Sequence, residues 1–476
     1  MFASSRPRRI AAPLLGAVGL FAGLLVAAAF AAPRVHEVTP PPGSRDVPAS
    51  SQISLVFSRP MDRLSVESRL AIDPPRPGSY TWEGTTLTFH PEAPWEPGTT
   101  VEVRLPAGAR SSRFLPILQS HAWSFVIGAP RIAYLWPADG PSDIYARSAD
   151  GGEPTRLTTT PAGVLDFRLS PEGTQVIYAA AREDGGSDLR LLDLATLQDR
   201  LMYSAPAGKL CRAPAISPDG RWLAFELYDL ESTSNERTIP GPGRVWVKPM
   251  DAASQAVPVG PDDHGASAPG WTPQGWLVYQ DRSLGAIAVV DMGTAPDLQP
   301  FNAIPNELGE PGAWSIDGRD VVFPEVGFVP ETLSVPGSSA EEQTIFYSHL
   351  IRVEASTGNA TDLSNRSGSL VEDASPVYSP DGNWLAFGRK YMDSDRWTLG
   401  RQLWLMRADG SEAHALTAVG DYNHSALGWS PDSTTLVYMR FNQAVITEPA
   451  EIWLIGADGE GAHSLVTGGY SPRWIP

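Results

Sequence analysis

The chain has 476 residues, of which 42% are hydrophobic and 15 are Trp, so it is long and apolar enough to bury a large core. Its formal net charge of −18 speaks against nucleic acid and other polyanions as partners. The 45 prolines and 44 glycines exceed average usage, which is roughly 12% of residues for the two together. This composition argues against an all-helical protein and favours many short strands joined by tight turns. The one cysteine, Cys211, excludes an internal disulfide and a zinc site of several cysteines.

The first 32 residues have the order of an export signal. Three arginines within residues 6–9 precede an uncharged, apolar stretch from 10 to 32, and this order retains the N-terminus in the cytoplasm. The stretch is long enough to span a bilayer, and residues 29–31, Ala-Phe-Ala, form a small-residue cleavage pattern. We therefore expect residues 1–32 to be either a cleaved signal peptide or an uncleaved membrane anchor, with the rest of the chain outside the cytoplasm.

Residues 33–128 alternate apolar and polar side chains in short runs separated by Gly/Pro turns. Such runs are Ile53–Phe57, Leu87–Phe89, Val101–Leu105 and Trp123–Ile127. About seven strands in a segment of this length predict an antiparallel β-sandwich. The order of Thr39–Gly43, Ile53–Ser58, Pro60–Asp62, Leu87–Pro91, Pro97–Val101 and Trp123–Phe125 resembles the bacterial Ig-like domain first described in S-layer proteins, the SbsA type. That resemblance implies a spacer or adhesion module without catalysis.

Residues 129–476 contain a repeated turn of the form Ser-Pro-Asp-Gly. The copies begin at Ser170, Ser217, Thr272, Ser315, Ser379 and Ser430, and a truncated seventh copy begins at Ser471. Their period, on the order of 50 residues, is typical of propeller blades. Ser, Pro and Gly at these positions suit a type I turn, so we interpret Asp219, Asp317, Asp381 and Asp432 as turn formers. A strand follows each turn, as in Trp222–Phe225 and Trp384–Phe387.

The ends of this repeat predict how the propeller closes. The first unit, 131–158, has the second, third and fourth strands of a blade but no turn, while 470–476 is a lone first strand. Joined, they complete one blade and remove an open sheet edge. The fold class predicted is therefore all-β, an Ig-like sandwich followed by a seven-bladed propeller. Six or eight blades remain alternatives because the segment 320–364 is divergent.

The repeat resembles the propeller of TolB and related periplasmic proteins, a relative of the WD-repeat propeller. The resemblance is carried by the Trp/Tyr-Ser-Pro-Asp-Gly runs, by Trp384–Phe387 and by Leu403–Gly410. It implies a fold rather than a function. TolB proteins carry an α/β domain ahead of six blades, whereas here an Ig-like module precedes seven predicted blades, so a Tol–Pal role does not carry over.

The candidate binding site lies on loops between the second and third strands of the blades. Extra residues fall at 228–243, 327–348, 390–401 and 442–450, and these hairpins emerge opposite the repeated turns. Insertions on one face of a repeat ring mark its binding face, although long surface loops are also tolerated without function. The residues we single out there are Phe328, Phe346, Tyr391, Arg396, Trp397, Arg440 and Phe441.

Searches for catalytic and metal patterns find little. There is no Gly-x-Ser-x-Gly elbow, no His-Glu-x-x-His and no phosphate-cradling loop. Residues 262–264 and 393–395 are acidic but lack the ligand set of a calcium loop, and Cys211 is expected to be a small core residue. We expect no cofactor, no catalysis and a monomer that binds an envelope protein or glycan, with membrane contact through residues 10–32 if they are uncleaved. The alternative is a lyase or hydrolase with its site in the central channel.

Overall fold

The computed structural model describes residues 32–45, 47–232, 238–251, 254–293, 298–333, 341–364, 370–393 and 395–475. It divides into two compact units, residues 1–128 and residues 129–476. Residues 1–31, which make up all but the last residue of the predicted signal segment, lie outside the described residues. No helix among the described residues is long and apolar enough to cross a membrane.

The first unit is a two-sheet sandwich. Its strands are β1 (Val35–Thr39), β2 (Ile53–Phe57), β3 (Ala71–Asp73), β4 (Gly78–Glu83), β5 (Thr86–Pro91), β6 (Thr100–Leu105) and β7 (His121–Val126). One sheet has the order β1-β2-β5-β4 and the other β3-β6-β7. Alternation along β2 buries Ile53, Leu55 and Phe57 in the core between the sheets, which is the period-two pattern of a half-buried strand. The predicted sandwich is confirmed.

A single helical turn, α1 (Arg63–Glu67), interrupts the strands of the first unit. The side chain of Asp62 accepts a hydrogen bond from the backbone N–H of Ser65 at 3.1 Å, which satisfies one of the free donors at the helix start. Val66 is its buried residue and packs into the sandwich core. The period-two interpretation of this segment did not include the helix.

The second unit is a series of four-stranded antiparallel sheets. The first is composite and contains β8 (Arg131–Trp136), β9 (Asp143–Ser148), β10 (Gly151–Arg156) and, from the far end of the chain, β35 (Tyr470–Ile475). The next contains β11 (Val164–Leu169), β12 (Gln175–Ala181), β13 (Ser187–Asp193) and β14 (Asp199–Ser204). It is followed by β15 (Lys209–Ile216), β16 (Trp222–Ser232), β17 (Thr238–Pro249) and β18 (Val257–Pro258).

The remaining sheets continue in chain order. They contain β19 (Ala266–Trp271), β20 (Leu277–Asp281), β21 (Ala286–Val290) and β22 (Asn302–Pro305); then β23 (Ala313–Trp314), β24 (Asp320–Leu333), β25 (Glu341–Glu354) and β26 (Ala360–Asp362). They end with β27 (Val371–Tyr378), β28 (Trp384–Tyr391), β29 (Gln402–Arg407) and β30 (His414–Ala415), and with β31 (Tyr422–Trp429), β32 (Thr435–Asn442), β33 (Glu451–Gly456) and β34 (His463–Thr467). A parallel bridge between Ser348 and Glu372 links β25 to β27.

The first strand of each sheet faces a central channel. We call β11, β15, β19, β23, β27, β31 and β35 the innermost strands. Close contacts join β11 to β15, β15 to β19, β23 to β27, β27 to β31 and β31 to β35, and β35 also touches β11. The last strand pairs with β8, with Trp474 opposite Ile132, as the truncated seventh repeat predicted. Hydrophobic clusters fill the gaps between neighbouring sheets, including the closing gap, where Tyr134 packs with Val437 and Ile452.

The innermost strands share a local irregularity. The register shifts within each of β15, β19, β27, β31 and β35. At each shift one residue other than glycine has a positive φ near 50°, namely Ala213, Ala268, Ser375, Ala426 and Ser471. These are β-bulges, which leave extra backbone unpaired with the neighbouring strand. Proline follows in four of the five, where its missing N–H removes no ladder bond.

The repeated turns are built by Ser and Asp together. The hydroxyl of Ser217 donates to Asp219 at 2.5 Å, and the N–H of Gly220 donates to the carbonyl of Ser217 at 2.9 Å. Ser315, Ser379 and Ser430 donate in the same way to Asp317, Asp381 and Asp432. The prediction that these aspartates form turns is confirmed. The end of the channel that carries these turns is called the turn face, and the opposite end, where second and third strands are joined, the hairpin face.

Candidate functional site

The longest hairpin of the hairpin face joins β24 to β25. The two strands pair in unbroken register from Asp320–Glu354 at the blade to Leu333–Glu341 at the tip. Phe328 and Phe346 lie directly opposite each other in this ladder, with 68% and 43% of their surfaces exposed. Residues opposite each other in a ladder place their side chains on the same side of the sheet. The hairpin therefore presents two adjacent aromatic rings to solvent.

A second aromatic group is formed by the connection between β28 and β29. Tyr391 bridges to Trp397, and the guanidinium of Arg396 lies 3.8 Å from the centre of the Tyr391 ring. The ammonium of Lys390 lies 4.7 Å from the centre of the Trp397 ring, which is 51% exposed. Arg396 also pairs with Asp393 at 2.6 Å, a contact that raises the pKa of the guanidinium. Three of the predicted residues thus form one exposed cluster held by cation–π contacts.

Arg440 and Phe441 belong to a different environment. Arg440 pairs with Glu451 at 2.9 Å, and its guanidinium lies 3.6 Å from the centre of the Trp453 ring and 4.4 Å from that of Tyr422. All of these contacts lie within one sheet, and they account for Arg440 as a structural residue. Phe441 is half-buried and pairs with Asn423. The structure does not bring these two residues together with the two exposed aromatic groups.

Charged residues that the sequence did not single out lie beside the bulges of the innermost strands. Asp166 on β11 accepts from the bulge N–H of Ala213 at 2.8 Å, and its carboxylate lies 3.5 Å from Arg212. Glu226 on β16 accepts from the bulge N–H of Ala268 at 2.6 Å. Each acid therefore ties one blade to the next by satisfying an N–H that the bulge leaves free.

Burial perturbs the pKa of Asp166 and that of the tyrosine bonded to Glu226. Burial raises the pKa of Asp166, and one of its carboxylate oxygens has no hydrogen-bond partner among the described residues. Glu226 accepts from the hydroxyl of Tyr228 at 2.6 Å, and burial is the main cause of the raised pKa of that tyrosine. Such pairs of perturbed groups mark candidate functional sites as well as structural ion networks. No repeated motif marks Asp166 or Glu226 in the sequence, because they lie on strands of different kinds, β11 and β16.

A buried ion pair lies in the fifth complete blade. Arg389 donates to both carboxylate oxygens of Asp373, at 2.7 and 2.6 Å, and the Asp373 side chain is fully buried. The guanidinium lies 5.0 Å from the ring centres of both Phe387 and Trp404. A bidentate pair with every partner in place is a rigid structural element, so we assign it to positioning β27 and β28.

The candidate cation positions are engaged otherwise. Asp262 pairs with Arg244 at 3.0 Å, and His264 lies 2.7 Å from Asp281. Asp393 pairs with Arg396, as described above, and residue 394 lies outside the described residues. Across the described ranges, no three His, Cys, Asp or Glu side chains gather closely enough to hold a metal ion.

Cys211 is a core residue, as predicted. It is fully buried on β15 and its sulfur lies 3.2 Å from the hydroxyl of Ser187. Burial raises the pKa of its thiol to about 11, so the reactive thiolate is scarce at neutral pH.

Comparison with known proteins bears on the first unit most directly. Residues 30–126 match the family model of the bacterial Ig-like domain. The match coincides with the two-sheet sandwich and confirms the resemblance seen in its turn and strand motifs.

Two curated relatives match parts of the chain. The sequence is 25% identical over 271 residues to the uncharacterized protein Atu1656 of Agrobacterium fabrum, covering 56% of this chain and 77% of that protein. It is 22% identical over 240 residues to the uncharacterized peptidase YuxL of Bacillus subtilis, covering 50% of this chain but only 31% of that protein. Among solved structures, TolB of Acinetobacter baumannii is similar at 14% identity and a TM-score of 0.41, over 86% of this chain and 83% of that one.

Proposed function

We propose that this protein is a non-catalytic, extracytoplasmic binding scaffold whose partner docks on the hairpin face of a seven-bladed propeller. The partner is an envelope protein or glycan. In this proposal the Ig-like unit separates the propeller from the membrane or wall, and residues 1–32 direct export as a signal peptide or anchor.

One observation carries the proposal, the exposed ring pair Phe328 and Phe346 on the longest hairpin. Aromatic side chains that stand free of a packed core are costly to expose, and they are the residue types that anchor protein interfaces. The Tyr391–Trp397 cluster on the next blade adds a second aromatic group on the same face. Arg396 and Lys390 stacked on its rings bring donors suited to carboxylates or sugar hydroxyls.

The test is capture of partners from envelope extract by the full chain and by the double variant Phe328→Ser, Phe346→Ser. We expect the variant to bind at least about tenfold more weakly, because hot-spot aromatics contribute about 2 kcal/mol or more. Leu201→Ser is the matched control, since Leu201 is 50% exposed on the outer strand β14. A partner retained equally by all three proteins would overturn the assignment of the hairpin face.

The second candidate is a propeller enzyme with its site in the channel. It is favoured by the raised pKa and the unpartnered oxygen of Asp166, which suit a general acid or base. One relative is named a peptidase, so arylamide dipeptides are the first substrates to try. Hydrolysis by the full chain that is lost in Asp166→Asn, with folding retained, would favour the enzyme over the scaffold.

A further inference from the structure

One layer of the channel near the turn face combines two arginines with small residues. This layer is formed by the next-to-last residue before each repeated turn, or by its equivalent on β35. Five of its members are small or short apolar residues, Ala215, Gly270, Ala313, Val377 and Gly428. The other two are Arg168 on β11 and Arg473 on β35, which are neighbouring innermost strands. Arg168 lines one cavity together with the small members Ala215 and Gly270.

Neither arginine side chain has a hydrogen-bond or ion-pair partner in the described part of the chain. The Nε of Arg473 is buried and unpartnered. The side chain of Arg168 is exposed to water. Protein also surrounds it, and the desolvation that this causes lowers the pKa of its guanidinium. The acids that act electrostatically on Arg168 are Asp166 and Glu226. Both carboxylates form their ion pairs with Arg212, within 4.0 Å, and not with Arg168. A guanidinium that lines a cavity and has no counter-ion among the described residues is available to an anion, and Arg168 meets this description.

Tryptophan contacts between the blades show where a ligand body would fit. At three junctions an indole N–H reaches the neighbouring innermost strand: Trp271 donates to Ala215, Trp429 to Val377 and Trp474 to Gly428, at 3.1 to 3.2 Å. The equivalent indole N–H of Trp314 is buried and has no partner in the described residues.

A cavity of about 510 Å³ opens at that broken junction. Arg168, Trp271 and Trp314 line it together with Gly270 and Gly312, and three turn prolines, Pro171, Pro218 and Pro273, place it at the turn face. Its walls are mostly apolar and aromatic, with few polar groups, which is the composition of a small-molecule site.

We propose that the turn end of the channel binds a small organic carboxylate with a ring-shaped body. The planar guanidinium of Arg168, which lines the cavity, matches a carboxylate with two parallel hydrogen bonds. The ring lies against Trp271 and Trp314, and the free indole N–H donates to an oxygen of the ligand. This site is at the opposite end of the channel from the hairpin face. Its test is therefore independent of the test of the proposed scaffold role.

The test is isothermal titration calorimetry of the purified full chain with two acids and their neutral counterparts. The probes are D-glucuronate with glucose, and benzoate with benzyl alcohol; the two acids distinguish a sugar acid from an aromatic acid. We expect saturable one-to-one binding of at least one acid and none of its neutral counterpart. Failure of both acids to bind more tightly than their counterparts overturns the proposal.

Variants assign the binding to this layer. Arg168→Gln should weaken the binding at least about tenfold, which corresponds to about 1.4 kcal/mol, because the ligand carboxylate loses its charged hydrogen-bond donor. Arg200→Gln, which removes the same charge from the exposed strand β14, should bind as the parent does. Arg168→Lys keeps the positive charge but loses the planar guanidinium. It replaces Arg168→Gln in this test if the glutamine variant fails to fold. Acid binding that is unchanged in the folded Arg168 variants contradicts the assignment.

Discussion

Asp143 joins β9 of the composite blade to the segment that follows β10. It is 5% exposed at the start of β9 and receives hydrogen bonds from the hydroxyls of Thr158 and Thr160, both at 2.8 Å, and from Arg156 at 2.6 Å. Burial by itself would raise the pKa of Asp143, but the hydrogen bonds from Thr158, Arg156 and Thr160 outweigh burial and leave the pKa lowered. The ionised carboxylate is therefore the form that the folded state stabilises.

Replacing Asp143 by Ala should lower the free energy of unfolding by about 2–4 kcal/mol, because two hydroxyls and a backbone N–H lose their acceptor. In the parent, the stabilisation is present above the unfolded pKa of Asp and is lost as pH falls through the lowered folded pKa, below about pH 4. Urea unfolding at pH 7 and pH 3 measures both effects. Asp143→Asn keeps the size without the charge and should lose this part of the pH dependence; an unchanged profile would contradict the assignment.

The bulged innermost strands are the elements that fit the sheets around the channel. Each bulge turns one N–H away from its own ladder. In three cases an acid that precedes the bulge in the chain receives it: Asp166 for Ala213, Glu226 for Ala268 and Glu310 for Ser375. The residue at each bulge is small because a positive φ brings Cβ against the following carbonyl oxygen. Strain of this kind is tolerated where the surrounding structure fixes the backbone.

Ala426 on β31 offers a clean measure of that strain, since it is exposed and has φ 51°. Ala426→Gly should raise the free energy of unfolding by up to about 1 kcal/mol, and Ala426→Val should lower it by about 1–2 kcal/mol. Ala415 on the exposed strand β30 is the control, because its φ is not positive. There the order should reverse, with Val at least as stable as Ala and Gly the least stable. The same order of stability among Gly, Ala and Val at positions 426 and 415 would contradict the assignment of strain to the bulge.

At the scale of the whole molecule, the propeller is held by pairing between its first and last strands. Trp474 and Ile475 of β35 are 7% and 4% exposed, and the hydroxyl of Tyr470 lies 2.8 Å from that of Ser142, 328 residues away in the sequence. These contacts belong to the core between the composite sheet and its two neighbours.

Removing residues 470–476 should destabilise the second unit as a whole, because β8 becomes an open edge and the neighbouring cores lose their cover. Thermal unfolding of the full chain, followed by near-UV circular dichroism, measures the loss. Trp474→Phe is the matched control: it keeps an aromatic ring and loses the N–H bonded to Gly428, so it should cost only about 1 kcal/mol. A truncated protein that melts as the parent does would refute closure by β35.

Much of the fold could be predicted from the sequence, because repetition and period two are local signals. The turn aspartates, the strands after them and the closing role of residues 470–475 all follow from copies of one motif. The channel residues could not be found in this way: Asp166 and Glu226 lie on different strands and act on bulges whose N–H groups only the register reveals. Arg440 is the converse case. The sequence placed it among the inserted loops, but its side chain contacts Glu451, Tyr422 and Trp453 on neighbouring strands.

The pairing of β35 with β8 also orders events in time. A chain that emerges from a ribosome or an export channel presents β8 long before β35, so the ring stays open until its last strand has been delivered. Until that moment β8 lacks its partner and the second unit cannot complete its cooperative core. The pairing thus makes closure of the ring the last step in the assembly of the second unit.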